Sequence, residues 1–320
     1  MSYREADLRR LTTVPIGTRR NKVDPSLLAG VPGPDRSFAA FLDSLPDILA
    51  ARDLRAVIAG VAAAARARRG VVLLVGGHVV KVGLGPLLRT LLARGVVTHV
   101  ALNGAAAIHD FELAAFGGTS EDVESGLADG SFGMAEETGA EMNAAIAAAA
   151  RADEGMGEGL ARALASRKPL PGGDASLLLA AREYEVPVTV HVAIGAEIIH
   201  QHPSADGAAI GATSHRDFRR LAGSLAALDQ GGAVLNLGSA VVLPEVFLKA
   251  LTIARNLDAG RPTHFLAADF DMQRHYRPRL NVVQRPTRAG GAGYMLTGHH
   301  ELLLPLLVWG VLGALDRAGG

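Results

Sequence analysis

What most constrains the fold of this chain is a set of short apolar runs that are continuous rather than alternating, each followed by an amphipathic stretch. The runs are "VVLLV" (71–75), "VVTHVAL" (96–102), "PVTVHVAI" (187–194), "AVLNL" (233–237), "THFLAA" (263–268) and "GYML" (293–296). A strand covered on both faces has no solvent side to keep polar, so uninterrupted apolar runs are what parallel strands between helices require. Between them lie helical patterns such as "PLLRTLLARG", with Pro86 at the first helical position, "SHRDFRRLAGSLAAL" and "LPEVFLKALTIARNL". Alternation of this kind predicts an α/β fold with a doubly wound, mostly parallel, Rossmann-like sheet. Residues 1–36 read as an exposed arm and 37–320 as a single α/β domain, opened by a helical N-terminal extension of two helices over Ser37 to Arg69. The Gly-, Ala- and acid-rich stretch 117–180 reads as helical excursions, and "LLLPLLVWGVLGAL" (302–315) as a buried terminal helix.

Charge and composition narrow the function classes. The 32 basic residues balance 32 acidic ones, which removes the cationic field expected of a nucleic-acid binder. There is no cysteine, hence no thiolate nucleophile, disulfide or zinc-thiolate site, which suits a cytoplasmic enzyme. The N-terminus has no apolar core of a secretory signal, and the 302–315 run is too short, and interrupted by Pro305, for a bilayer span. No membrane partner is expected.

In an open parallel sheet ligands bind beyond the carboxyl ends of the strands, and the polar clusters fall there: "GGHVVKVG", "NGAAAIHDFE", "GAEIIHQHP", "GSAVVLPE", "DFDMQRHYRPR" and "TGHHE". Gly76, Gly77, Gly83 and Gly85 suit either a tight turn or close approach of a phosphate to backbone amides. They form neither a Walker A motif nor a full G-x-G-x-x-G. Lys81 stands among them, one of only four lysines against 28 arginines. It can pair with phosphate, form an imine, or simply be solvated. His109, Asp110 and Glu112 start a helix, where carboxylates are favoured by the dipole alone, or else bind an amine and move a proton. His200 and His202, with His191 upstream, would need Glu197, His299 or His300 as a third ligand to hold zinc; otherwise they rim a pocket. Asp269, Asp271, Arg274, His275, Arg277 and Arg279 crowd the fifth loop as either a solvated segment or an anion clamp.

Taken in order over residues 70–315, "GGHVVKVGLGPLLRTLLARGVVTHVALNGAAAIHDFELAAFGGTSEDV", "NLGSAVVLPEVFLKALTIARNL", "AADFD" and "LLLPLLVWG" resemble the deoxyhypusine synthase family, more closely its bacterial deoxyhypusine synthase-like branch. The resemblance implies a Rossmann-like domain, NAD as cofactor, a homotetramer with active sites between subunits, and transfer of an aminobutyl group from spermidine through an enzyme lysine. Carried over, the NAD-facing positions are Gly76, Gly77 and Gly83; Asn103, Gly104 and Ala105; Gly238 and Ser239; and Asp269 and Asp271. Asp110 falls on the family's amine-binding acid. The pattern departs elsewhere. The imine-forming lysine falls nearest Arg285, the catalytic histidine on Pro244 or Glu245, and two polyamine-holding carboxylates near His200 and Arg274. Arginine cannot form the imine, because it keeps its proton.

The expectation is therefore a deoxyhypusine synthase-like, NAD-dependent transferase-type enzyme, homo-oligomeric, acting on a C–N or C–OH bond of a small molecule other than the family's own. Lys81, His109, Asp110, His200, Glu245 and Arg285 are the candidate catalytic residues. Glu112, His202, Arg274, His275 and Arg277 are candidates for holding substrate, the arginines by clamping an acidic group. Three alternatives stand beside it: an alkylamine transferase using spermidine or putrescine, a metal-dependent hydrolase, and a non-catalytic metabolite-binding oligomer.

Overall fold

The computed structural model describes residues 3–317, so the first two residues of the expected arm and the last three of the chain lie outside it. Two compact units divide the chain, Met1–Arg52 and Asp53–Gly320. In the first, 3₁₀ turns at Leu8–Arg10, Ile16–Thr18 and Pro25–Leu27 precede helix α1 (Phe38–Ser44). Ser37 caps that helix through its hydroxyl, which accepts from Ala40 N at 3.2 Å.

Helix α2 (Leu49–Arg66) leads into the second unit. There follow β1 (Val71–Val75), α3 (Gly77–Lys81), α4 (Gly85–Ala93), β2 (His99–Asn103), α5 (Gly104–Phe116), α6 (Val123–Asp129), α7 (Glu136–Arg151), α8 (Met156–Ala165), α9 (Leu177–Glu183) and β3 (Val188–His191). The second half of the unit holds α10 (Gly207–Ser224), β4 (Ala233–Leu237), α11 (Val242–Leu257), β5 (Leu266–Asp271), α12 (Arg285–Thr287), β6 (Ala292–Thr297) and α13 (His300–Asp316). A π-helical turn, Pro278–Gln284, precedes α12.

All six strands lie in one sheet of order β3-β2-β1-β4-β5-β6, and every neighbouring pair is parallel. This is the doubly wound Rossmann order, reversing direction between β1 and β4. Val75 at the end of β1 lies level with Leu102 on one side and Leu237 on the other. One face packs Val72, Leu74, Val234 and Ala267 against Leu221, Phe247 and Leu251 of α10 and α11. The opposite face carries α2, whose Gly60 lies against Leu266, and α13, whose Gly310 lies against Ile58. All five residues of β1 are fully buried, as its unbroken apolar run requires.

Four strands differ in their limits from the sequence expectation, β6 by only one residue at each end. Val96 N bonds back to Leu91 O at 2.9 Å, closing α4, so β2 begins only at His99. Beyond His191 the backbone is taken by side chains, Val192 N by Ser214 Oγ at 3.3 Å and Ala193 N by Glu197 Oε1 at 3.0 Å, which ends β3 early. Strand β5 runs on through Asp269 and Asp271, whose carboxyls are buried although they read as loop. Pro86 is the second residue of α4, and α13 exposes Leu302 and Trp309 while burying Leu304, Leu307 and Val308. Edge strand β3 is sealed by Asp217 of α10, whose Oδ2 accepts from Val190 N and Gly157 N, both at 2.8 Å. Among the described residues no helix is long and apolar enough to cross a membrane.

Candidate functional site

Helix α5 begins directly at the end of β2, because Asn103 Oδ1 accepts from Ala106 N at 2.8 Å and caps it. At the far end Gly117 adopts a left-handed φ of 79°, and the chain folds back over the helix. Between α5, the returning segment and the loop after β3 is a cavity of 740 Å³. Ala105, Ile108, His109, Glu112 and Phe116 of α5 line it, spaced as one helix face. Its charged lining is four carboxyl groups (Glu112, Glu121, Glu137 and Glu197) and one ammonium, Lys81 from the end of α3.

His109 is held in one tautomer. Thr119 donates its only hydroxyl proton to Glu112 Oε2, so at 2.7 Å from His109 Nδ1 it must accept, and Nδ1 carries the ring proton. Nε2 is left as the basic nitrogen. Thr138 donates to the other Glu112 oxygen at 2.9 Å and fixes that carboxylate. Burial, and then the charge of Lys81, push the His109 pKa down, which keeps the ring neutral and able to take a proton. Glu197 packs its carboxyl against Gly104, where a Cβ would fall 2.2 Å from Oε1. Burial raises its pKa.

On the other side of the switch point, the turns after β1 and β4 meet backbone to backbone. Gly76 N donates to Leu237 O at 2.9 Å, and a Cβ on Gly76 would stand 2.1 Å from Gly238 O. Gly77 lies against Ala105 and His109, so this turn adjoins the cavity. Gly83 and Gly238 take φ of 83° and 67°, where glycine is favoured. Asn236 Nδ2 bridges Ser239 O at 3.0 Å and Asp269 Oδ1 at 2.7 Å. Burial pushes the Asp269 carboxyl up to about 7, against the Asn236 hydrogen bond and with the help of Asp271. Two fully enclosed acceptors here have no partner, Asn236 Oδ1 and His300 Nδ1. Both call for an N–H or O–H donor, such as a ribose hydroxyl or a carboxamide brings, so these residues fit the hydroxyl-rich part of a dinucleotide.

The remaining sequence candidates lie as follows. Asp110 points away from the cavity and accepts from Ser176 Oγ and Leu177 N, both at 2.6 Å, and from Leu178 N at 3.1 Å, capping α9. His200 Nδ1 is 3.1 Å from Glu197 Oε2, behind the cavity wall. His202 bonds Ser204 at 2.7 Å. Glu245 gathers Lys249, Arg277 at 3.1 Å and Asn281 at 2.8 Å, and Arg285 in turn donates to Asn281 at 2.7 Å. Arg274 donates to Thr297 at 3.2 Å, and His275 stands 3.8 Å from Asp271. None of these arginines lines the cavity. Among the described residues no three His, Asp or Glu side chains converge as a metal site. The sequence reading passed over Thr119, Glu121, Glu137 and Thr138 because they come from the 117–138 excursion, where no strand end flagged them. The acidic "TSEDVE" within that stretch was the available signal.

Fold and site together define a Rossmann-like parallel α/β protein with a polar crevice along the carboxyl ends of its strands. Among solved structures it is similar to a conserved protein of Methanococcus maripaludis S2 described as LOR/SDH, with TM-score 0.51, 14% identity, and coverage of 86% of this chain and 72% of that one. It is similar also to a protein of Entamoeba histolytica described as a deoxyhypusine synthase, with TM-score 0.51, 10% identity, and coverage of 88% and 97%. A cyanobacterial arginine dihydrolase, ArgZ, matches at TM-score 0.49 and 16% identity over 83% of this chain, which spans only 33% of that protein. No protein-family model and no curated protein matches the sequence.

Proposed function

We propose that this protein is an NAD-dependent enzyme acting at the C–N or C–OH carbon of a small amine, with His109 as the base. The observation that carries this reading is the cavity lining, four carboxyl groups against one lysine around a histidine with a free Nε2. A buried ammonium is prohibitively costly unless anionic partners meet it, and carboxylates supply them. That favours an amine over the acidic substrate that the arginines of the fifth loop suggested, since Arg274 and Arg277 bond to Thr297 and Glu245, and Arg285 beyond that loop to Asn281.

NAD, when bound, supplies a hydride acceptor. Asn236 and His300 would hold its hydroxyl-bearing part, beside Gly238 and Ser239. Glu112, Glu121 and Glu137 bind the substrate's ammonium, and Ile108, Phe116 and Ile198 exclude water from its carbon chain. His109 Nε2 takes the proton released from the amine or hydroxyl, while Thr119 and Glu112 hold the ring and stabilise the imidazolium that results. Lys81 stands at the same wall, within reach of the cavity for an imine if the product is a carbonyl.

The experiment is to supply purified protein with NAD and a panel of primary amines and to follow NADH and released amines. NADH formation is expected, with kcat about 10²-fold lower in His109→Gln. Release of a diamine from spermidine would place the enzyme among alkylamine transferases. No calorimetric NAD binding and no turnover would refute the proposal.

A further inference from the structure

Lys81 is the one cation in an acid-lined cavity, yet it pairs with none of the acids. Among the described residues no Asp or Glu oxygen lies within ion-pair distance of its ammonium, although four carboxyl groups share its cavity. Within the cavity the ammonium and the carboxyl groups stand apart. Lys81 closes α3, the helix that opens at the glycine turn; burial lowers the His109 pKa and Lys81 lowers it further, while for His78 burial and His300 come before Lys81. Glu112 lies three residues further along the helix than His109, about 4.5 Å down its axis. Glu121 and Glu137 come from the segment that follows α5. Glu197 is packed against Gly104, with Oε1 held by Ala193 N at 3.0 Å. The cavity thus holds an ammonium and carboxyl groups that lie beyond ion-pair distance of it, with apolar Ile108, Ile198 and Phe116 in the same lining.

A plain diamine would complement the acids and set its second ammonium beside Lys81, like charge against like. A molecule with an amine at one end and a carboxylate at the other satisfies both poles at once. We propose that this cavity takes an amino acid-like zwitterion, its carboxylate on Lys81 and its ammonium among Glu112, Glu121 and Glu137. The inference rests on the reading that the cavity takes an amine, and adds which kind. It gives Lys81 a specificity role, choosing between amines of equal length by what stands at their other end.

The test uses matched pairs that differ only at that end: γ-aminobutyrate against putrescine, and δ-aminovalerate against cadaverine, with butylamine as the neutral-ended reference. Calorimetric affinities are measured with the full-length protein, with Lys81→Met and with Lys81→Glu. Lys81 is exposed at the end of a short helix, so both variants should fold, and thermal unfolding without ligand checks that they do. In the unaltered protein each amino acid is expected to bind about tenfold or more tighter than its diamine partner, since the comparison sets an attraction against a repulsion. Lys81→Met should remove that preference, and Lys81→Glu should reverse it. Diamines binding as well as the amino acids, or a preference that survives Lys81→Met, would overturn this inference and leave the amine reading standing. Failure of butylamine and of every other probe to bind would overturn the amine reading itself, and this inference with it.

Discussion

Gly76→Ala separates two reasons for a glycine at the head of the crevice. A Cβ there would meet Gly238 O at 2.1 Å, Gly238 C at 2.6 Å and Ser239 N at 3.0 Å, all backbone atoms that cannot rotate aside. To restore an ordinary contact of about 3.5 Å, the turn after β4 would have to retreat by more than an ångström. That breaks the Gly76 N to Leu237 O bond, 2.9 Å long, at the seam of β1 and β4. Overpacking of this sort costs about 1–3 kcal/mol and the lost hydrogen bond about 1 kcal/mol more, so a loss of roughly 2–4 kcal/mol is expected. Urea unfolding followed by circular dichroism measures it. Gly83→Ala is the comparison, for it enters open space and meets only the penalty of φ 83°, about 1 kcal/mol. If Gly76→Ala unfolds within about 0.5 kcal/mol of the unaltered protein, the packing argument is refuted. The glycine would then be answering to a ligand, and NAD affinity would be the property lost.

Two further outcomes are expected. Thr119→Val keeps the shape and deletes the hydroxyl that ties His109 to Glu112, so kcat should fall about tenfold with an altered acidic limb of the pH profile while KM barely moves; an unchanged profile would show the tautomer is fixed by something else. Asp269 has a folded pKa of about 7 against 3.8 unfolded, so its contribution is present at low pH and lost as pH rises from about 4 through 7. Relative to the unaltered protein, Asp269→Asn should therefore gain stability across that window, by roughly 2–4 kcal/mol at most. A difference that stays flat from pH 5 to pH 8 would contradict a protonated Asp269. Comparison between variants is needed because His99 and His191, driven down to about 4 and about 3 by burial, act in the opposite direction as pH falls below their unfolded value.

How much of this was legible in the sequence depends on where each signal is stored. Strand β1 was legible to the residue, because five consecutive side chains buried on both faces leave a run with no polar member. Strand β5 was misplaced because Asp269 and Asp271 are polar yet buried, a fact held by Asn236 on the neighbouring strand rather than by their own segment. Lys81, His109 and Glu112 could be found from position alone, since they follow strand ends. Asp110 stands on the same helical turn as its neighbours, yet it faces Ser176 and α9, and no spacing rule distinguishes a carboxyl aimed at a helix end from one aimed at a ligand. Glu121 and Glu137 reach the cavity only because Gly117 reverses the chain over α5, which is a tertiary event.

Asp217 has an effect beyond its own helix. By claiming the amide of Val190, and with Ser214 claiming that of Val192 just beyond the strand, α10 takes two donors along the β3 margin that a stranger's backbone would need. At the opposite margin β6 has β5 as its only neighbour and is largely exposed. Strand addition is thus hindered at the β3 margin, and two such chains joined β6 to β6 would shut each other off, ending at a pair instead of running on into a fibre.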